Sequence, residues 1–198
     1  MDRPKVIFTK EFKEAIIEAK DLSEIGEILM TDLKRVIEIS DEKIKQFKDA
    51  PESRFLNEQE TWIRLSNRLL ITTIDAVCFK MKQFALIGHR MRKKQLGEED
   101  IMKLTEKQKS GRPFIIGTGK NLDYAFRMTA ATFDSKYELK HDKEWEVFQK
   151  LIKKRRGLTH PKSKADLSVS FSDHQDALNT AMWFTKVLHE LMDSIPKL

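Results

Sequence analysis

The sequence predicts an all-α protein, a helical bundle with short irregular extended segments in its loops. Apolar residues recur at spacings of three and four along most of the 198 residues, which is the periodicity of amphipathic helices. Glycine and proline, with seven and five copies, are too scarce for many long loops. With 40% hydrophobic and 34% charged residues, the composition fits one helical domain over residues 1–198.

Two N-terminal helices are predicted to pack on a motif-bearing core that covers about residues 54–195. A short helix is expected at residues 10–20, and a longer one at residues 23–50. The longer helix should end there because Pro51 pushes the residue before it out of the helical region.

The helix predicted over residues 54–96 is apolar around most of its circumference, which indicates burial by neighbours on several sides. One polar stripe runs along it at spacings of four and seven, formed by Arg64, Arg68, Asp75 and Lys82. We interpret this stripe as the solvent-exposed side of the helix. The alternative is that Asp75 lines a groove or orients a catalytic group.

Turn residues in the middle of the chain set off two shorter helices. Gly97 precedes an acidic run that favours a helix start. Residues 110–120 hold three of the seven glycines and form the clearest loop, before a helix over residues 121–133. The Gly-Thr-Gly-Lys run in this loop departs from a phosphate-binding loop because Asn121 follows Lys120 in place of Ser or Thr. A plain loop that leads into a helix is favoured, with weak anion binding as the alternative.

Charge, hydropathy and cysteine content narrow the classes of function. The 37 basic and 31 acidic residues give a net charge of +6, which is compatible with nucleic acid as a partner. No stretch approaches the roughly 20 apolar residues of a membrane span, and residues 1–5 lack the apolar centre of a secretory signal. No membrane association and a cytoplasmic location are therefore predicted. Cys78 stands alone and is expected to be buried, and the five histidines show no metal-ligand spacing, so neither metal nor cofactor is predicted.

The feature that most specifically suggests a chemical function lies in the last third of the chain. It is the hexapeptide from Arg155 to His160. A helix predicted over residues 143–156 runs directly into it, and an extended piece at residues 165–171 follows. A final helix is then expected to begin at a capping box formed by Ser172 and Gln175.

The two ends of this hexapeptide have the chemistry for cleaving RNA. The guanidinium of Arg155 is always charged and matches phosphate oxygens, while the imidazole of His160 titrates near neutrality. Together they suffice for attack of a ribose 2′-hydroxyl on its own phosphodiester, since one group moves the proton and the other steadies charge on phosphorus.

Spacing alone does not bring the pair together. On a regular helix, the side chains of residues five positions apart point in directions that differ by about 140° around the axis. Because Gly157 is a poor helix residue and Pro161 biases His160 away from helical angles, we predict that the helix unwinds here and the side chains converge. Alternatively, two motifs meet across a symmetric dimer and form a composite site. A purely structural interpretation is a basic helix end that complements the helix dipole.

Arg155-Arg156-Gly157-Leu158-Thr159-His160 resembles the Arg-polar-x-x-x-His motif of HEPN domains, a helical family of nucleotide-binding proteins and ribonucleases. The Thr-His-Pro-Lys continuation and the capped helix after it are also similar, over about residues 144–192. The resemblance implies a four- or five-helix bundle, a homodimer that brings two motifs together, and metal-independent endoribonuclease activity. Such domains often serve as toxins or phage-defence effectors, controlled by an antitoxin or another regulatory protein.

Carried onto this sequence, the family's roles make Arg155 and His160 the catalytic pair and place Arg156 at the variable polar position, which is often asparagine in the family. Lys162 stands where some toxin members have a tyrosine that a partner enzyme modifies. The residues expected to contact the RNA are Lys153, Lys154, Thr159 and Lys162. The alternative function is a non-catalytic HEPN-like module that binds a nucleotide or a partner protein. A DNA regulator finds less support, because no helix-turn-helix pattern is evident.

Overall fold

The computed structural model describes residues 10–47, 53–91 and 96–195 and confirms an all-α fold. Within these ranges there is no β-strand, and none of the helices is both long and apolar enough to cross a membrane. The helices are α1 (Lys10–Phe47), α2 (Ser53–Met91), α3 (Glu98–Thr105), α4 (Thr118–Thr132), α5 (Lys143–Thr159) and α6 (Phe171–Ser194). A short 3₁₀ helix, Lys164–Leu167, lies between α5 and α6.

Two predicted boundaries near the chain ends are wrong. The N-terminal segment is one helix of 38 residues, because neither glycine nor proline interrupts the backbone hydrogen bonds at the predicted break near residue 21. The last helix begins after Ser170 and not at the predicted Ser172. The Ser170 N–H donates to Asp173 Oδ2 at 2.8 Å, and the Asp173 N–H donates back to Ser170 Oγ at 3.4 Å. This reciprocal pair is a capping box.

Helix α2 is the centre of the bundle, as its apolar circumference predicts. Helices α1, α3, α4, α5 and α6 all pack against it. Its buried residues Leu70 and Ile74 belong to the same core as Leu33 of α1, Phe126 of α4 and Phe184 of α6. Burial of a side chain of this size contributes about 1.5–3 kcal/mol, so the shared core joins α1 to the rest of the described structure.

A glycine at the crossing of α2 and α4 provides a test of this packing. A Cβ on Gly88 would overlap Thr132 Cγ2 and lie 3.0 Å from Phe133 Cζ. Gly88→Ala should therefore lower the free energy of unfolding by about 1–3 kcal/mol, measured by urea denaturation, because the helices must separate. The matched control is Gly26 of α1, where an added Cβ meets nothing within 4 Å. Gly26→Ala should stabilise by up to about 1 kcal/mol, and a similar response at both positions would contradict the tight crossing.

Candidate functional site at the end of helix α5

The hexapeptide lies on the last turns of α5, and the predicted unwinding at Gly157 is wrong. The helix continues to Thr159. A single glycine costs a helix only about 1 kcal/mol, and the buried side chain of Leu158 offsets that cost. The guanidinium of Arg68 on α2 also donates to the carbonyl of Leu158, which fixes the last turn against α2.

The helix ends where the following proline predicts, at His160. Its φ of −129° and ψ of 64° are not helical, although its N–H still donates to the Arg156 carbonyl at 3.0 Å. The next residues are held by Asp166, whose Oδ2 accepts the N–H groups of Lys162 and Ser163 at 2.8 Å each. These backbone bonds lower the pKa of Asp166. The backbone on both sides of the histidine is thus hydrogen-bonded in place.

Arg155 and His160 do not share one side of α5. The helix is regular up to Thr159, so the two positions are about 140° apart around its axis. Arg155 is half-buried, and its charge acts on Asp75 of α2. His160 is exposed at the helix end. This geometry favours the alternative in which two copies of the chain complete a site together.

The residues around the pair differ in how accessible they are. The exposed basic side chains are Lys153, Arg156 and Lys162. Lys154 is instead engaged within the protein, since its Nζ lies 3.1 Å from Asp173 Oδ2 at the start of α6. Thr159 donates its hydroxyl hydrogen to the Arg155 carbonyl at 2.9 Å. Of the predicted RNA contacts, Lys153 and Lys162 are therefore the ones whose charge is directed to solvent.

The interpretation of the α2 polar stripe as solvent-exposed holds for Arg68 but is wrong for Lys82, while Arg64 and Asp75 are half-buried. The Lys82 side chain has no exposed surface at all. Arg64 donates to the Leu167 carbonyl at 3.1 Å, just beyond α5. Polar groups of neighbouring segments thus meet the stripe along its length, although Arg68 also remains exposed to solvent.

Farther along α2 lies a cluster of polar side chains, of which the sequence pattern marked only the two on the α2 stripe, Asp75 and Lys82. We call it the polar cluster; it consists of Asp75, Lys82, Glu106, Thr118 and Asn121. Lys82 forms an ion pair with Glu106, at the end of α3, and its Nζ donates to Asn121 Oδ1 at 2.8 Å. The Thr118 hydroxyl donates to Asp75 Oδ2 at 3.2 Å. A buried amine requires such partners. Through these contacts the start of α4 and the end of α3 are held against α2.

Burial raises the pKa of two α2 side chains in this region, Asp75 and Cys78. It raises the pKa of Asp75, and the Thr118 hydrogen bond and the Arg155 charge counteract that shift only in part. Burial also raises the pKa of the Cys78 thiol far above its ordinary value. A buried, protonated thiol is a poor nucleophile, and the prediction that Cys78 is a buried residue is confirmed.

The Gly-Thr-Gly-Lys run forms the start of α4. Gly117 is the residue that caps the helix, and α4 begins at Thr118, three residues earlier than predicted. A Cβ on Gly119 would overlap the side-chain amide of Gln149 on α5. Gln149 is exposed and its amide ends a flexible side chain, so it can turn aside from a larger residue at this position.

A separate apolar groove lies between α1 and α6, with α2 as its floor. Its volume is about 1230 Å³. Methionines line it from three helices, namely Met30, Met81, Met182 and Met192. None of its described lining residues belongs to the hexapeptide or to the polar cluster.

No protein-family model, curated protein or solved structure matches this chain. Within the described ranges, no three His, Cys, Asp or Glu side chains lie close enough together to hold a metal ion.

Proposed function

We propose that this protein is a HEPN-like, metal-independent endoribonuclease that acts as a homodimer, with Arg155 and His160 as its catalytic pair. The observation that carries the proposal is the end of α5, where an exposed imidazole follows a half-buried guanidinium within a basic surface. Lys153, Arg156 and Lys162 add positive charge that suits the RNA backbone.

The proposed reaction needs no group beyond the RNA and these side chains. His160 accepts the proton of a ribose 2′-hydroxyl, whose oxygen forms a bond to the adjacent phosphorus. The bond from phosphorus to the 5′-oxygen of the next nucleotide breaks, that oxygen takes up a proton from solvent, and His160 releases to solvent the proton that it accepted. Arg155 stabilises the negative charge on the phosphate oxygens as it builds. The products are a 2′,3′-cyclic phosphate and a 5′-hydroxyl end.

Two copies of the chain would assemble the site. Arg155 and His160 lie about 140° apart on a single α5, and we infer that a twofold dimer brings Arg155 of one copy beside His160 of the other. Biologically, such an enzyme would act as a toxin or a phage-defence effector, with an antitoxin or another regulatory protein to restrain it.

The purified protein should cleave a fluorescently labelled RNA in the presence of EDTA. Because the RNA supplies its own nucleophile, the rate should not fall when divalent metal is removed, and the fragments should carry 2′,3′-cyclic phosphate ends. The same sequence as DNA, or with 2′-O-methyl ribose, should stay intact. Intact RNA, loss of cleavage in EDTA, or cleavage of the DNA would each contradict the proposal.

A second candidate function, a non-catalytic helical module, is favoured by the apolar groove. Methionine side chains adapt to varied apolar partners, and an amphipathic helix of a partner protein fits such a groove. The groove walls carry charges of both signs in the pairs Lys34–Glu38 and Lys186–Glu190, each at 3.8 Å, which suits a helix with mixed charge. The cleavage assay separates the two candidates, because a binding module would leave the RNA intact.

A further inference from the structure

We propose that Arg68 of α2 binds the RNA phosphate that His160 of the same chain meets. This inference rests on the proposed nuclease function and adds to its site a guanidinium from another helix. It starts from a direct contact, because Arg68 Nη2 donates to the carbonyl oxygen of Leu158, inside the hexapeptide and two residues before His160. The guanidinium of Arg68 therefore lies at the end of α5 where His160 is exposed.

A phosphate that approaches this end of α5 needs a cation there. The last carbonyl groups of a helix have no partner within the helix, and they give its C-terminal end a partial negative charge of about half a unit. His160 follows Thr159, the last helical residue, so RNA that reaches the imidazole meets this negative end. A guanidinium bound to one of these carbonyls, as that of Arg68 is, makes the local charge positive.

The charge of Arg68 is available to RNA. The side chain is exposed, and no carboxylate of the described residues lies within ion-pair distance of it. A guanidinium has five N–H donors in a fixed plane, so the bond to Leu158 leaves donors free for a phosphate. Arg64, one turn earlier on α2, differs because it pairs with Glu60 at 2.9 Å and is only partly exposed.

The two arginines of the site would then have separate roles. In the proposed dimer, a phosphate at His160 lies between Arg68 of that chain and Arg155 of the other copy. Arg155 stabilises the charge that builds on the phosphate during the reaction. Arg68, held in place by the Leu158 carbonyl, binds the phosphate before the reaction begins.

The test measures binding of a single-stranded 2′-O-methyl RNA by fluorescence anisotropy over a series of NaCl concentrations. Arg68→Gln removes the charge but keeps an amide N–H that can bond to the Leu158 carbonyl. It should weaken binding by roughly threefold to tenfold and reduce the slope of log affinity against log salt by about 0.7, as expected for one lost phosphate contact. Arg68→Lys keeps the charge and should keep the wild-type slope.

The matched control is Arg90→Gln. Arg90 is an exposed arginine of the same helix, about 33 Å farther along its axis. This variant should bind the RNA with the wild-type affinity and slope. If Arg68 only capped α5, its loss would change thermal unfolding and leave the salt dependence of binding unchanged.

The inference is overturned if Arg68→Gln keeps the wild-type slope, if Arg68→Lys or Arg90→Gln loses as much slope as Arg68→Gln, or if wild-type protein binds no RNA. The nuclease proposal is tested separately by wild-type cleavage in EDTA. If Arg68→Gln alone loses slope but wild-type protein leaves unmodified RNA intact, the phosphate contact stands and the nuclease proposal fails. If wild-type protein cleaves RNA while Arg68→Gln keeps its slope, the nuclease proposal stands without Arg68.

Discussion

RNA cleavage should return when the Arg155→Ala and His160→Ala proteins are mixed, although neither should cleave RNA alone. Each single variant loses one member of both sites in its homodimer, so its rate should fall by about 10²- to 10⁴-fold. A heterodimer of the two carries one site in which both Arg155 and His160 are intact. Random exchange makes about half of the dimers heterodimers with one of two sites active, so about a quarter of the wild-type rate should return.

The reason for expecting complementation lies in α5. If the helix unwound at Gly157, both side chains could converge within one chain, and mixing would restore nothing. The helix instead continues to Thr159, with Leu158 buried and its carbonyl bound by Arg68. With the helix regular, two side chains of one copy would have to reach around α5 to meet, and for that reason we expect two chains to complete the site.

The experiment mixes the two proteins, verifies subunit exchange by native mass spectrometry with one partner tagged, and follows labelled RNA in EDTA. His141→Ala is the matched control, since His141 is an exposed histidine at the other end of α5 and should leave cleavage unchanged. A second mixture pairs wild-type chains with the double variant Arg155→Ala/His160→Ala. Composite sites predict about a quarter of the rate of wild-type dimers, whereas sites within single chains predict about half. Verified exchange without recovery in the first mixture would rule out the composite site.

The helices could be predicted where the controlling interactions are local. Apolar periodicity marks α2 and α5, and Gly97 with its acidic run marks the start of α3. The start of α6 shows the limit of such patterns, because Ser170 and Ser172 each precede a suitable partner by three residues. Asp173 is the better partner because its carboxylate also binds Lys154 from α5, a contact that no local pattern contains.

The candidate site was only partly predictable for the same reason. Arg155 and His160 stand out because an arginine and a histidine flank a glycine before a proline. The polar cluster does not stand out, because the partners of Lys82 lie 24 and 39 residues away in the chain. A polar residue on a helix suits solvent or a buried partner equally well, and only the packing of α3 and α4 on α2 decides between them.

Lys82→Met should lower the free energy of unfolding by about 2–4 kcal/mol, because removing one partner of a buried ion pair leaves the others without compensation. Lys82 is fully buried, so its ammonium has no water to replace the ion pair with Glu106 and the bond to Asn121. Methionine keeps most of the volume, but the buried Asn121 Oδ1 then lacks a donor. Glu106 is 39% exposed and can turn toward water. The loss of unfolding free energy should therefore be smaller than for an ion pair in which both partners are buried.

Urea denaturation followed by far-UV circular dichroism at pH 7 measures this loss. The matched control is Lys186→Met on α6, whose side chain is 73% exposed, and it should change stability by no more than about 0.5 kcal/mol. Replacing Asn121 by leucine together with Lys82→Met should recover part of the loss, since an apolar pair removes the unsatisfied oxygen. If Lys82→Met destabilises no more than Lys186→Met, the polar cluster is not what holds α3 and α4 to α2.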